Sequence, residues 1–157
     1  MNKTNVMRLL DQAKIEYKHY CYAGTDAVGG MEVVEVLHQD PDQAFKTLVT
    51  VGASRANYVC VIPVAEELDL KKAAKHFGEK KIEMIHARDI TKVTGYIKGG
   101  CSPVGMKKPF PTVIDISAEN IGDIIVSGGK VGLQMELSVK ALQEITGAQL
   151  ADVTADR

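Results

Sequence analysis

The sequence predicts an α+β fold built as a single domain. Three observations carry this. The 157 residues suit one hydrophobic core. Short β-rich runs and short amphipathic helices are mixed without the regular strand–helix–strand alternation of a doubly wound parallel sheet. No internal repeat, low-complexity segment or linker divides the chain, so one domain is expected over 1–157.

Val6, Leu9, Leu10 and Ala13 recur at helical spacing, so residues 4–14 read as an amphipathic helix with Thr4 as its N-cap. Residues 17–22 mix aromatic and polar positions and read as a strand. A second helix is expected over 31–37, with Pro41-Asp42 turning the chain after it. The β-rich runs 45–51 and 58–64 flank a polar loop and predict an antiparallel hairpin. Asp69 is placed to cap a helix over 70–77, and Gly78 stands where a helix-ending glycine belongs. Residues 82–85 read as a strand and 87–93 as a short helix. Strands are expected over 112–116, 124–126 and 133–137, and a last helix over 138–145 before Gly147.

Composition narrows the function classes. Hydrophobic residues make up 45% and charged residues 25%, the usage of soluble globular domains. No apolar run approaches the roughly 18 residues needed to cross a bilayer, which argues against a membrane partner. The opening Met1-Asn2-Lys3 is not followed by an apolar leader, so a cytoplasmic protein is expected. Cys21, Cys60 and Cys101 are odd in number and widely spaced, which fits a reducing compartment rather than a disulfide framework. Neither they nor the four histidines have the spacing of a zinc site, and no metal or cofactor is expected.

The formal net charge of −1 argues against DNA as a partner, since proteins that live on nucleic acid are usually strongly basic. The lysines are nonetheless clustered. Lys71, Lys72, Lys75, Lys80 and Lys81 crowd one segment, and Lys98, Lys107, Lys108 and Lys130 flank glycine-rich stretches. Such a face either neutralises a few phosphates or is simply a solvated surface.

Lys46 is the most informative residue. Period-2 alternation puts it on the face of Leu48 and Thr50, opposite Phe45, Val49 and Val51. A buried ammonium costs several kcal/mol unless it is compensated. Two readings stand: a fixed cation for an anionic group or developing oxyanion, or an edge lysine that snorkels to water. The stretch GYIKGGCSPVG at 95–105 holds four glycines and Pro103, and SGGKVG at 127–132 follows an apolar strand. Such loops either present backbone groups to a ligand or make tight connections. The second is not a P-loop, because the G-x-x-x-x-G-K-[ST] spacing is absent. Cys101 beside Ser102 suggests a nucleophile, but no histidine is identifiable as its base, so a packed, inert thiol is the expectation. Ser102 lacks a G-x-S-x-G context.

Taken in order, EVV at 32–34, FKTL at 45–48, LDLKK at 68–72, KKIEM at 80–84, TGY at 94–96, GGCSPVG at 99–105, PTVID at 111–115 and SGGK at 127–130 resemble the YbaK/EbsC family. These are aminoacyl-tRNA deacylases related to the editing domain of bacterial prolyl-tRNA synthetases. The resemblance spans almost the whole chain. It implies a mixed, largely antiparallel, barrel-like β-sheet flanked by helices. It implies that Lys46 is the essential lysine near the terminal adenosine, and that residues 99–103, with Gly99, Gly100 and Pro103, form a backbone loop against the aminoacyl group. Tyr22 would line the pocket, and Ser127 and Gly128 would build its opposite wall. Two positions depart from the family pattern: Cys101 replaces a common aliphatic residue, and Tyr20 stands where histidine often appears.

The resemblance further implies removal of cysteine from tRNA(Pro), with the aminoacyl-tRNA 3′ end as partner, while the small size and modest charge suggest that a partner, prolyl-tRNA synthetase, chooses the tRNA. A cysteinyl ester brings its own thiol nucleophile, which would explain why no enzyme base is identifiable. Water held by backbone groups is the other route. Clearance of another small amino acid such as alanine, or a non-catalytic adaptor for tRNA or synthetase, are the competing readings.

Overall fold

Residues 3–27 and 29–155 are described in the computed structural model. Met1 and Asn2, on which the reading of the leading segment rested, and the outermost bounds of the expected domain lie outside the described residues. Helix α1 (Asn5–Gln12) starts at Thr4, whose hydroxyl accepts from the Met7 amide at 3.3 Å and donates to the Gly128 carbonyl at 2.9 Å. One side chain thus caps a helix and ties it to the second glycine loop. Strand β1 (Lys18–Cys21) leads through a loop to α2 (Gly30–Val36), and β2 (Phe45–Gly52) and β3 (Asn57–Pro63) form the expected hairpin. Helix α3 (Leu70–Phe77) is capped by Asp69, which accepts from the Lys71 and Lys72 amides at 3.0 Å, and ends at Gly78 with φ 75°. Then come β4 (Ile82–Met84), a 3-10 turn running into α4 (Ile90–Thr94), β5 (Thr112–Asp115), β6 (Asp123–Ser127), β7 (Leu133–Ser138), α5 (Val139–Thr146) and β8 (Gln149–Ala151).

Three details differ from expectation. The helix expected over 87–93 begins as a 3-10 turn at Ala87–Asp89. Ser138 is the last residue of β7 and caps α5 from outside, its hydroxyl accepting from the Ala141 amide at 3.0 Å. Strand β8 was not expected at all. Its three residues carry too little pattern to register, and it exists because it lies parallel to β5.

The strands form two sheets, ordered β4-β2-β3-β5-β8 and β1-β7-β6. Pairing is antiparallel except between β3 and β5 and between β5 and β8, so the largely antiparallel character holds. The expected barrel-like sheet is not found as a closed ladder among the described residues. Strand β4 takes the outer edge of β2 at residues 50–52, and the second sheet meets the first through a single parallel bridge, Ala44 to Ile125.

Strict alternation divides the central strands between two cores. Val59, Val61 and Ile114 face a core shared with Val6, Met7 and Leu10 of α1 and with Ile124, Val126, Leu133 and Met135 of the second sheet. Cys60, Ile62 and Val113 face the other way, onto Ala73 and Ala74 of α3 and onto Val153. Both faces of the large sheet are therefore covered, and each fully buried Val, Ile or Leu contributes about 1.5–3 kcal/mol. Asp115 is wholly buried and clamps the end of the chain, accepting from the Val153 amide at 3.1 Å and the Ser117 amide at 3.2 Å.

Candidate functional site

The start of β2 does not carry β4 on its edge, and a cavity of about 210 Å³ opens there. Three consecutive residues, Phe45, Lys46 and Thr47, line it, so the cavity lies along the strand edge rather than on one pleated face. Val126 and Ser127 of β6 and Leu133 and Gln134 of β7 also line it. Gly29, Gly30 and Val33 at the start of α2, Tyr22 after β1, Val64 after β3, and Gly99 and Cys101 of the first glycine-rich loop complete the lining. The volume falls below the roughly 300 Å³ at which drug-sized ligand sites begin, so it suits a small group.

Lys46 is half-buried and sits opposite Ile62 across the hairpin. Among the described residues its ammonium has neither a hydrogen bond nor an ion pair, and no carboxylate lines the cavity. A cation left uncompensated in a partly enclosed site is an electrostatic receptor for negative charge. Beside it the Thr47 hydroxyl is buried and, among the described residues, has no hydrogen-bond partner. Buried polar atoms are nearly always satisfied, so this one is an exception, on a residue that lines the cavity. Thr47, Gly99 and Cys101 also border a second, more apolar cavity of about 300 Å³ that includes Leu48, Met84, Ile90 and Lys98.

The expected site residues separate into two groups. Tyr22, Lys46, Gly99 and Ser127 meet at the cavity. Tyr22 is held there by its amide, which donates to the Gly132 carbonyl at 2.8 Å, and the Ser127 hydroxyl accepts from the Gly129 amide at 3.3 Å. Gly100, Pro103 and Gly128 are buried and do not line it. A Cβ on Gly100 would lie 2.9 Å from both Lys130 Cα and the Val131 amide nitrogen, so the two glycine loops interlock backbone to backbone at that point. A Cβ on Gly128 would lie 2.7 Å from Leu133 Cγ, and Pro103 borders a separate hollow with Phe110 and Ile145. Tyr20 also stays off the cavity, its hydroxyl donating to Glu136 at 2.8 Å.

Tyr96 braces the loops from below. Its hydroxyl donates to the Val104 carbonyl, and its ring lies 3.5 Å from where a Cβ on Gly129 would be. Burial pushes its phenol up to about 12. Ser102 is fully buried and its hydroxyl accepts from the Val104 amide at 3.2 Å, so it is a loop-shaping residue. Burial pushes the Cys101 thiol up to about 11, against a smaller opposing effect from a hydrogen bond with Thr94. A thiol so shifted is protonated at neutral pH, the opposite of an activated nucleophile. Among the described residues no three His, Cys, Asp or Glu side chains gather as metal ligands.

Thr47 and Gln134 escaped the sequence reading. Alternation assigns Lys46 and Thr47 to opposite faces, and only an edge cavity recruits both. The adjacency of Thr47 to Lys46 was the available signal.

Fold and cavity together define an α+β domain with a small cleft lined by an uncompensated lysine and by no carboxylate. The chain belongs to the aminoacyl-tRNA editing domain family, whose model matches residues 27–145. It is 48% identical over 153 residues, covering 97% of this chain and 93% of the relative, to the Enterococcus faecalis (strain ATCC 700802 / V583) protein named as a Cys-tRNA(Pro)/Cys-tRNA(Cys) deacylase, EbsC. Two crystal structures share the fold. One, described as a trans-editing enzyme for prolyl tRNA synthetase, superposes with a TM-score of 0.82 at 23% identity, covering 99% of this chain and 100% of its own. The other, the hypothetical protein APE2540, gives a TM-score of 0.88 at 22% identity, covering 97% and 100%. No helix among the described residues is long and apolar enough to cross a membrane.

Proposed function

We propose that this protein is a freestanding editing enzyme that deacylates Cys-tRNA(Pro). The observation that carries the reading is the uncompensated Lys46 ammonium in a small cavity free of carboxylates, beside the unpartnered Thr47 hydroxyl. Family membership supports the reaction class, and the name of the 48% identical relative supports cysteine as the acyl group.

In this mechanism the substrate thiol attacks its own ester carbonyl. A C–S bond forms, the bond from the carbonyl to the ribose oxygen breaks, and the thiol proton ends on the released ribose hydroxyl. The products are a cysteine thiolactone, which water opens, and free tRNA. Lys46 and Thr47 stabilise the oxyanion that develops on the carbonyl, while Gly99 and Tyr22 confine the aminoacyl group. Ser127 forms the facing wall, and Gly100, Pro103 and Gly128 keep the loops in register. The protonated Cys101 takes no part in bond making, and the chemistry calls for no cofactor. Choice of tRNA falls to prolyl-tRNA synthetase as partner, and the protein works in the cytoplasm.

Single-turnover deacylation of Cys-, Ser- and Ala-charged tRNA(Pro) at saturating enzyme tests the reading. Cys-tRNA is expected to react far faster than Ser-tRNA, because an alcohol is a much weaker nucleophile at neutral pH. A sterically selecting pocket separates such small groups by only about 1–3 kcal/mol. Comparable rates for all three would replace thiol cyclisation by attack of a bound water, and a preference for alanine would reassign the acyl group.

A further inference from the structure

The two glycine loops present a surface that the deacylation chemistry does not use. Between Asp89 and Asp115 the sequence has no carboxylate but holds Lys92, Lys98, Lys107 and Lys108, and between Asp123 and Glu136 it holds only Lys130 among charged residues. A chain with net charge −1 has thus placed only positive charge on the loops beside the cavity. The interlock sets Gly99 and Gly100, which directly follow Ile97 and Lys98 in one loop, against Lys130 and Val131 of the other. Val131 reaches Gly99 on the cavity wall, its Cγ2 lying 3.5 Å from where a Cβ would be. Ile97 is 72% exposed and Val131 58%, unusual for β-branched side chains, and Lys98 and Lys130 are exposed beside them. The tips are stiffly held: the Gly100 amide donates to the Ile97 carbonyl at 2.9 Å, and the Leu133 amide donates to the Lys130 carbonyl at 3.3 Å. Asp26, Glu32 and Glu35, around the start of α2, are exposed and none of them lines the cavity.

Resting on the deacylase reading, we infer that this paired rim is the docking surface for the single-stranded 3′ end of the RNA. Lys98 and Lys130 neutralise its phosphates, and Ile97 and Val131 pack against an unstacked base. Charge complementarity selects the occupant, since two lysines without a carboxylate between them suit a phosphodiester strand. The apolar tips give a base face the sequence-tolerant contact that single-strand binders use. The strand then enters over the two loops, one of which lines the cavity with Gly99, and this brings its terminal ester to Lys46.

The test uses the intact protein and a fluorescent short single-stranded RNA ending in CCA, with affinity followed against salt. The K98Q/K130Q double variant is expected to bind more weakly, and its slope of log K against log salt is expected to be shallower by roughly 0.7 for each lysine. I97S/V131S is expected to lose affinity several-fold with the slope unchanged. A K98Q/K130Q protein with wild-type affinity and slope would overturn the proposal. In a parallel assay the lysine variant should lose rate on Cys-tRNA yet keep it on cysteinyl adenosine, which has no phosphates. Equal loss on both would also overturn the proposal, by showing that the lysines serve the cavity itself. If the wild-type protein cleaves neither substrate but the RNA slopes change as stated, the deacylase reading falls and the docking surface stands.

Discussion

At the scale of single residues, Lys46 and Thr47 answer different questions. Lys46 supplies charge, so Lys46→Ala is expected to abolish deacylation while circular dichroism and the melting temperature stay near those of the parent. Lys46→Arg should recover little, because a planar fork does not replace a compact ammonium. In the proposed mechanism Thr47 supplies one hydrogen bond, from a hydroxyl that has no partner among the described residues. Thr47→Val keeps the shape and removes the donor. It is expected to lower the single-turnover rate roughly tenfold, the worth of one hydrogen bond of about 1.4 kcal/mol, and Thr47→Ser should restore it. An unchanged rate in Thr47→Val would remove the hydroxyl from the mechanism. Cys101→Ala should retain activity, since burial holds its thiol at about 11 and leaves it protonated. Inactivity in a folded Cys101→Ala protein would restore the enzyme-nucleophile reading.

At the scale of elements, the site depends on two loops pressed together. Gly100→Ala puts a methyl group against the Lys130 and Val131 backbone, which cannot rotate away as a side chain would. Overpacking of this kind costs about 1–3 kcal/mol. The expected outcome is a modest fall in melting temperature with a much larger fall in kcat/KM, because the loop carrying Gly99 must shift off the cavity. A melting-temperature loss with full activity would show that the loops can part without consequence. Thr4 provides a second handle on the same region. Thr4→Ala removes both the cap of α1 and the bond to the Gly128 carbonyl, and is expected to cost about 1–2 kcal/mol in a denaturant titration.

At the scale of the whole molecule, the groups that burial keeps protonated, Cys60, Cys101 and Tyr96, set an alkaline limit, and the cysteines act first because their unfolded values are lower. Burial raises the Cys60 thiol from 9.0 to about 12, and Cys101 from 9.0 to about 11. Above pH 9 the unfolded chain releases these protons while the folded chain retains them, so the folded state binds more protons and stability falls as pH rises. The contribution is complete below pH 9 and drains away between there and about 11 to 12. Denaturant midpoints measured from pH 7 to 11 should therefore decline above 9, and Cys60→Ala should flatten the decline. A decline equally steep in that variant would assign the alkaline limit to other groups. Activity should move the opposite way at first, rising toward pH 8–9 as the substrate thiol, not Cys101, begins to ionise.

What the sequence determined by itself was whatever is written within a few residues. Period-2 and helical spacing located seven of the strands and the helices, because backbone geometry imposes those periods locally. Lys46 stood out because a cation inside an apolar β run is anomalous on its own strand. The tertiary structure alone decided the division into two sheets and the existence of β8, since strand partners are chosen across the whole chain. It alone separated the glycines that line the cavity from those that wedge the loops, because Gly100 is defined by Lys130 and Val131, and Gly128 by Leu133 and Thr4. It alone exposed Thr47 as a hydroxyl without a partner. Such properties arise where distant segments meet, and a one-dimensional pattern carries no record of which segments those will be.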